Sequence, residues 1–136
     1  MANNKGELIS LSDFKGKPVY INFWTNWSIP AKKEMKIMQV LHKKYKNKVH
    51  FISICADNDV NKLTQFLNKN EDYSWDFLHI GKDKKLLDKY KIITFPTYIL
   101  LDKNLKVAKY PAGRPGGTAE RATEDNIEKD FYDLIK

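Results

Sequence analysis

Two kinds of apolar spacing alternate along this chain. Pro18-Val19-Tyr20-Ile21-Asn22-Phe23-Trp24 is a β-branched and aromatic run entered through Lys15-Gly16-Lys17, and it predicts a buried strand. From Ser28 to Tyr45 the spacing lengthens: Met35, Met38, Leu41 and Tyr45 form one apolar stripe with lysines opposite, the mark of an amphipathic helix. Ser28 suits an N-cap, and Pro30 falls in the first turn, where its missing N–H costs nothing. Val49 to Ala56 is nearly continuous in apolar residues, as an interior parallel strand should be. Asp57 or Asn58 then caps a helix that turns Leu63, Phe66 and Leu67 inward and ends near Asn68-Lys69-Asn70.

The second half is less regular. Tyr73 to Gly81, with Trp75, Phe77 and Ile80, reads as a short extended segment, and Lys84 to Tyr90 as a short helix. Thr97 to Leu101 is a strand, Asp102-Lys103-Asn104 a turn, and Leu105 to Tyr110 the antiparallel partner. Gly113, Pro115, Gly116 and Gly117 make a loop; Ile127, Phe131, Leu134 and Ile135 mark a last amphipathic helix. The order is α/β, with a parallel crossover first and a hairpin near the end. It predicts a central mixed β-sheet flanked by helices on both faces. No repeat and no linker divides the chain, so residues 1–136 are read as one domain.

Composition narrows the chemistry. At 136 residues and 42% hydrophobic the chain is long enough for one proper core. No apolar run approaches the ~18 residues of a membrane span, and Met1–Ser10 lacks the pattern of a signal peptide. Cys55 is the single cysteine, which excludes an internal disulfide, a redox pair and a cysteine-built zinc site. No metal and no cofactor is expected. The net charge of +7 is carried by lysine, with arginine only at Arg114 and Arg121. Lysines crowd from Lys32 to Lys48 around the single acid Glu34, while Glu120 to Asp133 is acid-rich. Arginine is the usual fork for bases and phosphates, so the lysines read as a solvated helix face and no nucleic-acid partner is expected.

Several motifs in order carry a family resemblance. They are Leu11-Ser12-Asp13-Phe14-Lys15-Gly16-Lys17-Pro18, Asn22-Phe23-Trp24, Trp27-x-x-Pro30-x-x-x-Glu34, Lys89-Tyr90-Lys91-Ile92 and Phe95-Pro96-Thr97-Tyr98-Ile99-Leu100-Leu101-Asp102. From about Gly6 onward the chain resembles the thioredoxin fold, and more narrowly the TlpA/ResA-type, redoxin-like thiol–disulfide oxidoreductases of bacterial envelopes. The resemblance implies a cell-envelope or periplasmic location. It also implies a trimmed N-terminus, because relatives carry a further hairpin before Leu11, and so the C-terminal domain of a longer protein.

The departures from that family are chemical. Its Trp-Cys-x-x-Cys motif reads Trp27-Ser28-Ile29-Pro30-Ala31 here, so neither redox position holds sulfur. Disulfide exchange needs an attacking thiolate and a second thiol to resolve the mixed disulfide, and Ser28 and Ala31 supply neither. Glu34 matches a carboxylate that lies beside the cysteines in ResA-like proteins, and the residues alone read it as a solvated helix carboxylate. A hydrolytic Ser28 lacks a base, since His42 lies ~21 Å further along the same helix at 1.5 Å per residue. Cys55 reads as a small buried hydrophobe.

By resemblance, Pro96 follows a cis bond and faces the Ser28 turn, in a loop that presents backbone groups to an extended peptide. Trp27, Ile29, Phe95 and Pro96 are then expected to form a protein- or peptide-binding surface. Two readings stand: a redox-inactive binding module, or the cysteine-substituted form of an active thiol–disulfide oxidoreductase of envelope redox homeostasis.

Overall fold

The computed structural model of the chain describes residues 1–82, 84–115 and 127–135. In chain order the elements are β1 (Ala2–Asn3), a 3₁₀ turn (Leu11–Phe14), β2 (Val19–Trp24), α1 (Ile29–Tyr45), β3 (His50–Cys55) and α2 (Val60–Asn68). There follow β4 (Asp76–His79), α3 (Lys85–Lys89), β5 (Thr97–Leu101), β6 (Val107–Lys109) and α4 (Ile127–Ile135). The strands form one six-stranded sheet in the order β1-β4-β3-β2-β5-β6. β2 runs parallel to β3 with Val19 opposite His50, and antiparallel to β5 with Val19 opposite Leu101. β3 and β4 are parallel, whereas β1 and β6 close the two edges antiparallel.

Period-two alternation splits the interior into two cores. Tyr20, Trp24, Phe51, Cys55, Phe77, Tyr98 and Leu100 point to one face, where Met35 and Met38 of α1, Leu63 of α2, and Ile127 and Phe131 of α4 cover them. Val19, Ile21, Phe23, Ile52, Ile54, Leu78, Ile99 and Leu101 point to the other, beneath Phe14, Tyr90 and Ile92. A strand with a helix layer on each side must be apolar at both parities, which is why β2 and β3 lack a polar face. On the first face, rings meet edge-on: Phe131 contacts Tyr20 at 5.3 Å, Tyr45 at 5.1 Å and Phe51 at 5.7 Å between centroids.

Three local expectations change. The cap of α2 is Asp59, whose side chain accepts the Asn61 N–H at 2.9 Å, rather than Asp57 or Asn58. Asp57 is unavailable because its carboxylate turns inward to the Asn26 N–H and the Cys55 thiol. The first ten residues, to which the spacing assigns no element, contribute β1: it pairs with β4, Ala2 opposite His79, and Ala2 also bridges Leu8. The small turn between is closed by Asn3, whose Oδ1 accepts the N–H groups of Lys5 and Glu7, and by Gly6 at φ +79°. The partner of β5 is trimmed to Val107–Lys109, because Asp102 Oδ1 accepts from Asn104 and Lys106 N–H and keeps Leu105 in the turn at φ 65°. Gly116 and Gly117 of the expected loop, and the first part of the acid-rich stretch from Glu120, lie outside the described residues.

Phe131 is fully buried against those three rings, so Phe131→Ala should cost ~3–5 kcal/mol of stability. A urea titration followed by circular dichroism checks this; a midpoint close to the parent's would contradict the docking of α4.

Candidate functional site

β2 ends at Trp24 in the middle of the sheet, and Thr25-Asn26-Trp27 carries the chain over to α1. Two bonds shape that turn: the Asn26 N–H donates to Asp57 Oδ2 at 2.6 Å, and the Ser28 N–H donates to Thr25 O at 3.1 Å. Facing it is the segment before β5, where the Phe95–Pro96 bond is cis and Thr97 Oγ1 donates to Thr94 O at 2.7 Å. Ser28 joins the two loops, its Oγ donating to Phe95 O at 3.3 Å. Ser28 therefore occupies the N-cap position, with φ −85° and ψ 103°, but its side chain caps nothing. The buried hydroxyl meets the Phe95 carbonyl across the interface, and a tertiary acceptor replaces the expected helix-capping role.

The apolar residues named from sequence do not share one environment. Trp27 and Ile29 stand out from the surface, 69% and 65% exposed. Phe95 is half-buried and meets the Trp27 ring edge-on, 6.1 Å between centroids at 90°. Pro96 is buried, so its ring lies beneath the surface rather than on it. Ile93, two residues before Phe95, is 88% exposed, and no periodicity marked it because it lies between regular elements. Ala31 is wholly buried under the helix start.

Glu34 is not the solvated carboxylate expected from the residues alone. Its side chain is 15% exposed; Oε1 accepts the Tyr98 hydroxyl at 2.7 Å, and Oε2 faces Arg114 Nη1 at 3.6 Å. Tyr98 stacks on Tyr20 at 5.5 Å, and the Tyr20 hydroxyl donates to Gly113 O at 2.6 Å. Burial first, and the Glu34 carboxylate second, raise the Tyr98 phenol well above its ordinary value, so it stays a proton donor to Glu34. Tyr20 is raised as well, chiefly by burial. This chain of bonds ties α1 to β5 and to the segment after β6. Sequence reasoning missed Tyr98 and Arg114 because each is remote from Glu34 along the chain.

Cys55 ends β3 on the α1 face, fully buried, with its Sγ–H donating to Asp57 Oδ2 at 3.4 Å. Burial pushes the thiol up to about 12, with smaller contributions from Asp57. Such a thiol is neither a nucleophile nor a ligand at neutral pH. Among the described residues, no cluster of His, Cys, Asp and Glu could hold a metal ion, and no helix is long and apolar enough to cross a membrane.

A mixed sheet with helices on both faces, and a proline loop set against the first turn of the helix after β2, defines a thioredoxin-fold protein. The chain belongs to the Redoxin family, whose model matches residues 1–130. It is similar to the thiol-disulfide oxidoreductase ResA of Bacillus thuringiensis strain Al Hakam, 38% identical over 111 residues, 80% of this chain and 62% of that protein. ResA of Bacillus subtilis strain 168 is 32% identical over 137 residues, 100% of this chain and 71% of that protein. The chain thus spans under two-thirds of the length of the first relative and somewhat more of the second. The crystal structure of the exposed lipoprotein thioredoxin of Streptococcus pneumoniae superposes with a TM-score of 0.76 at 23% identity, over 98% of this chain and 96% of that one. The likeness begins at the first residues rather than at Gly6, in keeping with β1 being part of the sheet.

Cys55 should resist a thiol reagent such as dithionitrobenzoate in the folded protein at pH 8 and react fully once urea is added. Its raised value also fixes a sign. The proton is held more tightly folded than unfolded, so its contribution to stability is complete below the ordinary value of 9.0 and is lost as pH rises toward 12. Rapid labelling of the folded protein would contradict the burial.

Proposed function

We propose that this is a thioredoxin-like domain that cycles no disulfide and serves as a binding module for an extended protein or peptide segment. One observation carries the reading. The helix start has no sulfur at Ser28 and Ala31, and the Ser28 hydroxyl is tied to the Phe95 carbonyl, yet the Trp27–Phe95 aromatic pair still faces solvent. Without a thiolate there is no attack on a substrate disulfide, and without a second thiol nothing resolves a mixed disulfide. Binding needs neither. An extended segment lying along Ile93–Phe95 adds hydrogen bonds to loop backbone, while its side chains pack on Trp27 and Ile29.

Pro96, buried beneath, sets the path of that loop rather than touching the ligand. Glu34, engaged by Tyr98 and Arg114, is a positioning residue that fixes α1 against β5. The single-domain organisation of residues 1–136, as the C-terminal part of a longer protein, and a bacterial cell-envelope location belong to the same proposal. Its support is the kinship with ResA and the exposed lipoprotein thioredoxin.

Two experiments test it. With dithiothreitol as electron source, the protein should reduce a disulfide substrate such as insulin no faster than dithiothreitol alone. Ser28→Cys with Ala31→Cys should then create a pair that closes to a disulfide on mild oxidation, seen as the loss of two free thiols by mass spectrometry of the alkylated protein. Turnover by the parent chain, or failure of the double variant to close, would count against an intact frame emptied of sulfur.

For binding, ¹⁵N shift perturbation with extended peptides should move signals of Trp27, Ile29 and Phe95. Trp27→Ala or Phe95→Ala should weaken the complex by ~2 kcal/mol or more. Shifts confined to the lysine-rich face between Lys36 and Lys48 would overturn the reading.

A further inference from the structure

Beside the aromatic pair the surface changes from apolar to cationic. A cleft of about 240 Å³ lies between α1 and α2, lined by Asn26, Lys32, Lys62, Gln65, Phe66 and Lys69. Three of its six lining residues are lysines and none is acidic. Among the described residues the ion pairs are Lys44–Glu128, Lys109–Asp130 and Arg114–Glu34, so these three lysines have no ion-pair partner among those residues. The nearby carboxylates are occupied: Asp57 holds the Asn26 N–H, and Asp59 caps α2.

The polar floor points the same way. Asn26 Nδ2 is buried and donates to nothing, although the backbone of the same residue is firmly held. Trp24 packs on Phe66 of the cleft at 4.9 Å between centroids, and its Nε1 is a second buried N–H without a partner. Buried donors are ordinarily satisfied, and an amide donor from a residue that shares its cleft with three lysines suits an acceptor that carries negative charge.

We propose that this cleft takes the carboxylate of an aspartate or glutamate side chain on the bound peptide segment, making the partner an acidic–apolar sequence. This rests on the binding surface proposed above. The placement argues for a peptide rather than a nucleic acid. Asn26 directly precedes Trp27, Lys32 is one helical turn beyond Ile29, and the one ring in the lining, Phe66, is half-covered. No aromatic platform for a base stands over the lysines, and arginine, which would fork a phosphate, is absent from the lining.

The test uses the full chain and three probes. An extended nonapeptide with a central tryptophan and flanking glutamates should bind about fivefold more tightly than its glutamine counterpart at low salt. That preference should shrink as salt rises and vanish in the surface variant Lys32→Gln/Lys62→Gln/Lys69→Gln. Both peptides should still shift Trp27 and Phe95 in the variant, which also reports that it is folded. Glutarate alone should shift the Asn26 side-chain amide. Equal affinity of the two peptides, or a preference that survives in the variant, overturns the cleft while leaving the aromatic surface standing. Glutarate shifts at Asn26 with no peptide shifts at Trp27 retain the carboxylate cleft and overturn the aromatic surface and the peptide as its ligand. A response to inorganic phosphate but not to glutarate overturns the carboxylate assignment in favour of a phosphate ligand.

Discussion

The double burial of β2 is the constraint on which the rest of this molecule depends. Every residue from Val19 to Trp24 is buried, and the strand is hydrogen-bonded to β3 on one side and β5 on the other. Because neither edge nor face of β2 meets water, its register against both neighbours is fixed by two cores at once. A slip by one residue would exchange Tyr20 and Trp24 with Ile21 and Phe23, putting large rings where the opposite core has no space for them. The end of β2 is therefore an anchored point, and the turn and helix start that follow inherit its position.

From that anchor, a few polar contacts set the geometry of the site. Asp57, from the segment after β3, grips the Asn26 N–H and accepts from the Cys55 thiol; Ser28 reaches to Phe95; Glu34 is held by Tyr98 and Arg114. All but the Cys55–Asp57 bond join residues far apart along the chain, and those that end on a carboxylate are partly or fully buried, where such an acceptor makes a stronger bond than a neutral one. These contacts hold the turn, the helix start and the proline loop together in a chain with no sulfur at Ser28 or Ala31. In this setting the serine does structural work at its own position, as a link between two loops, rather than standing as a vacant nucleophile.

Surface chemistry follows from the same layout. α1 begins at the anchored turn, so Trp27 just before it meets Phe95, Ile29 is exposed at its start, and Lys32 lines the cleft beside α2. Its later lysines are carried away along the helix, and one of them, Lys44, pairs with Glu128 of α4 at 2.7 Å. The lysine-rich stretch is therefore not one patch. Its members fall to a cleft, to an inter-helix ion pair and to open solvent, and the charge total alone does not separate these uses.

The amino-acid pattern by itself determined the longer elements and their order. Alternation and helical spacing are local consequences of which residues must avoid water, and the runs at Val19–Trp24, Ile29–Tyr45, His50–Cys55, Thr97–Leu101 and Ile127–Ile135 showed them plainly. The absence of sulfur at Ser28 and Ala31 was equally legible, since it is a matter of composition at a motif. Partnership was not. Whether Ser28 capped its helix or bonded Phe95, whether Asp57 or Asp59 capped α2, and whether Glu34 met water or Tyr98 depended on residues tens of positions away. So did the burial of Pro96 and the sheet pairing of Ala2 and Asn3, because a two-residue strand carries no periodicity and gains its place only from the edge of β4. A hydrogen-bonding group is shared out among competing acceptors only when the chain has closed in three dimensions, and that competition is what the tertiary structure decided.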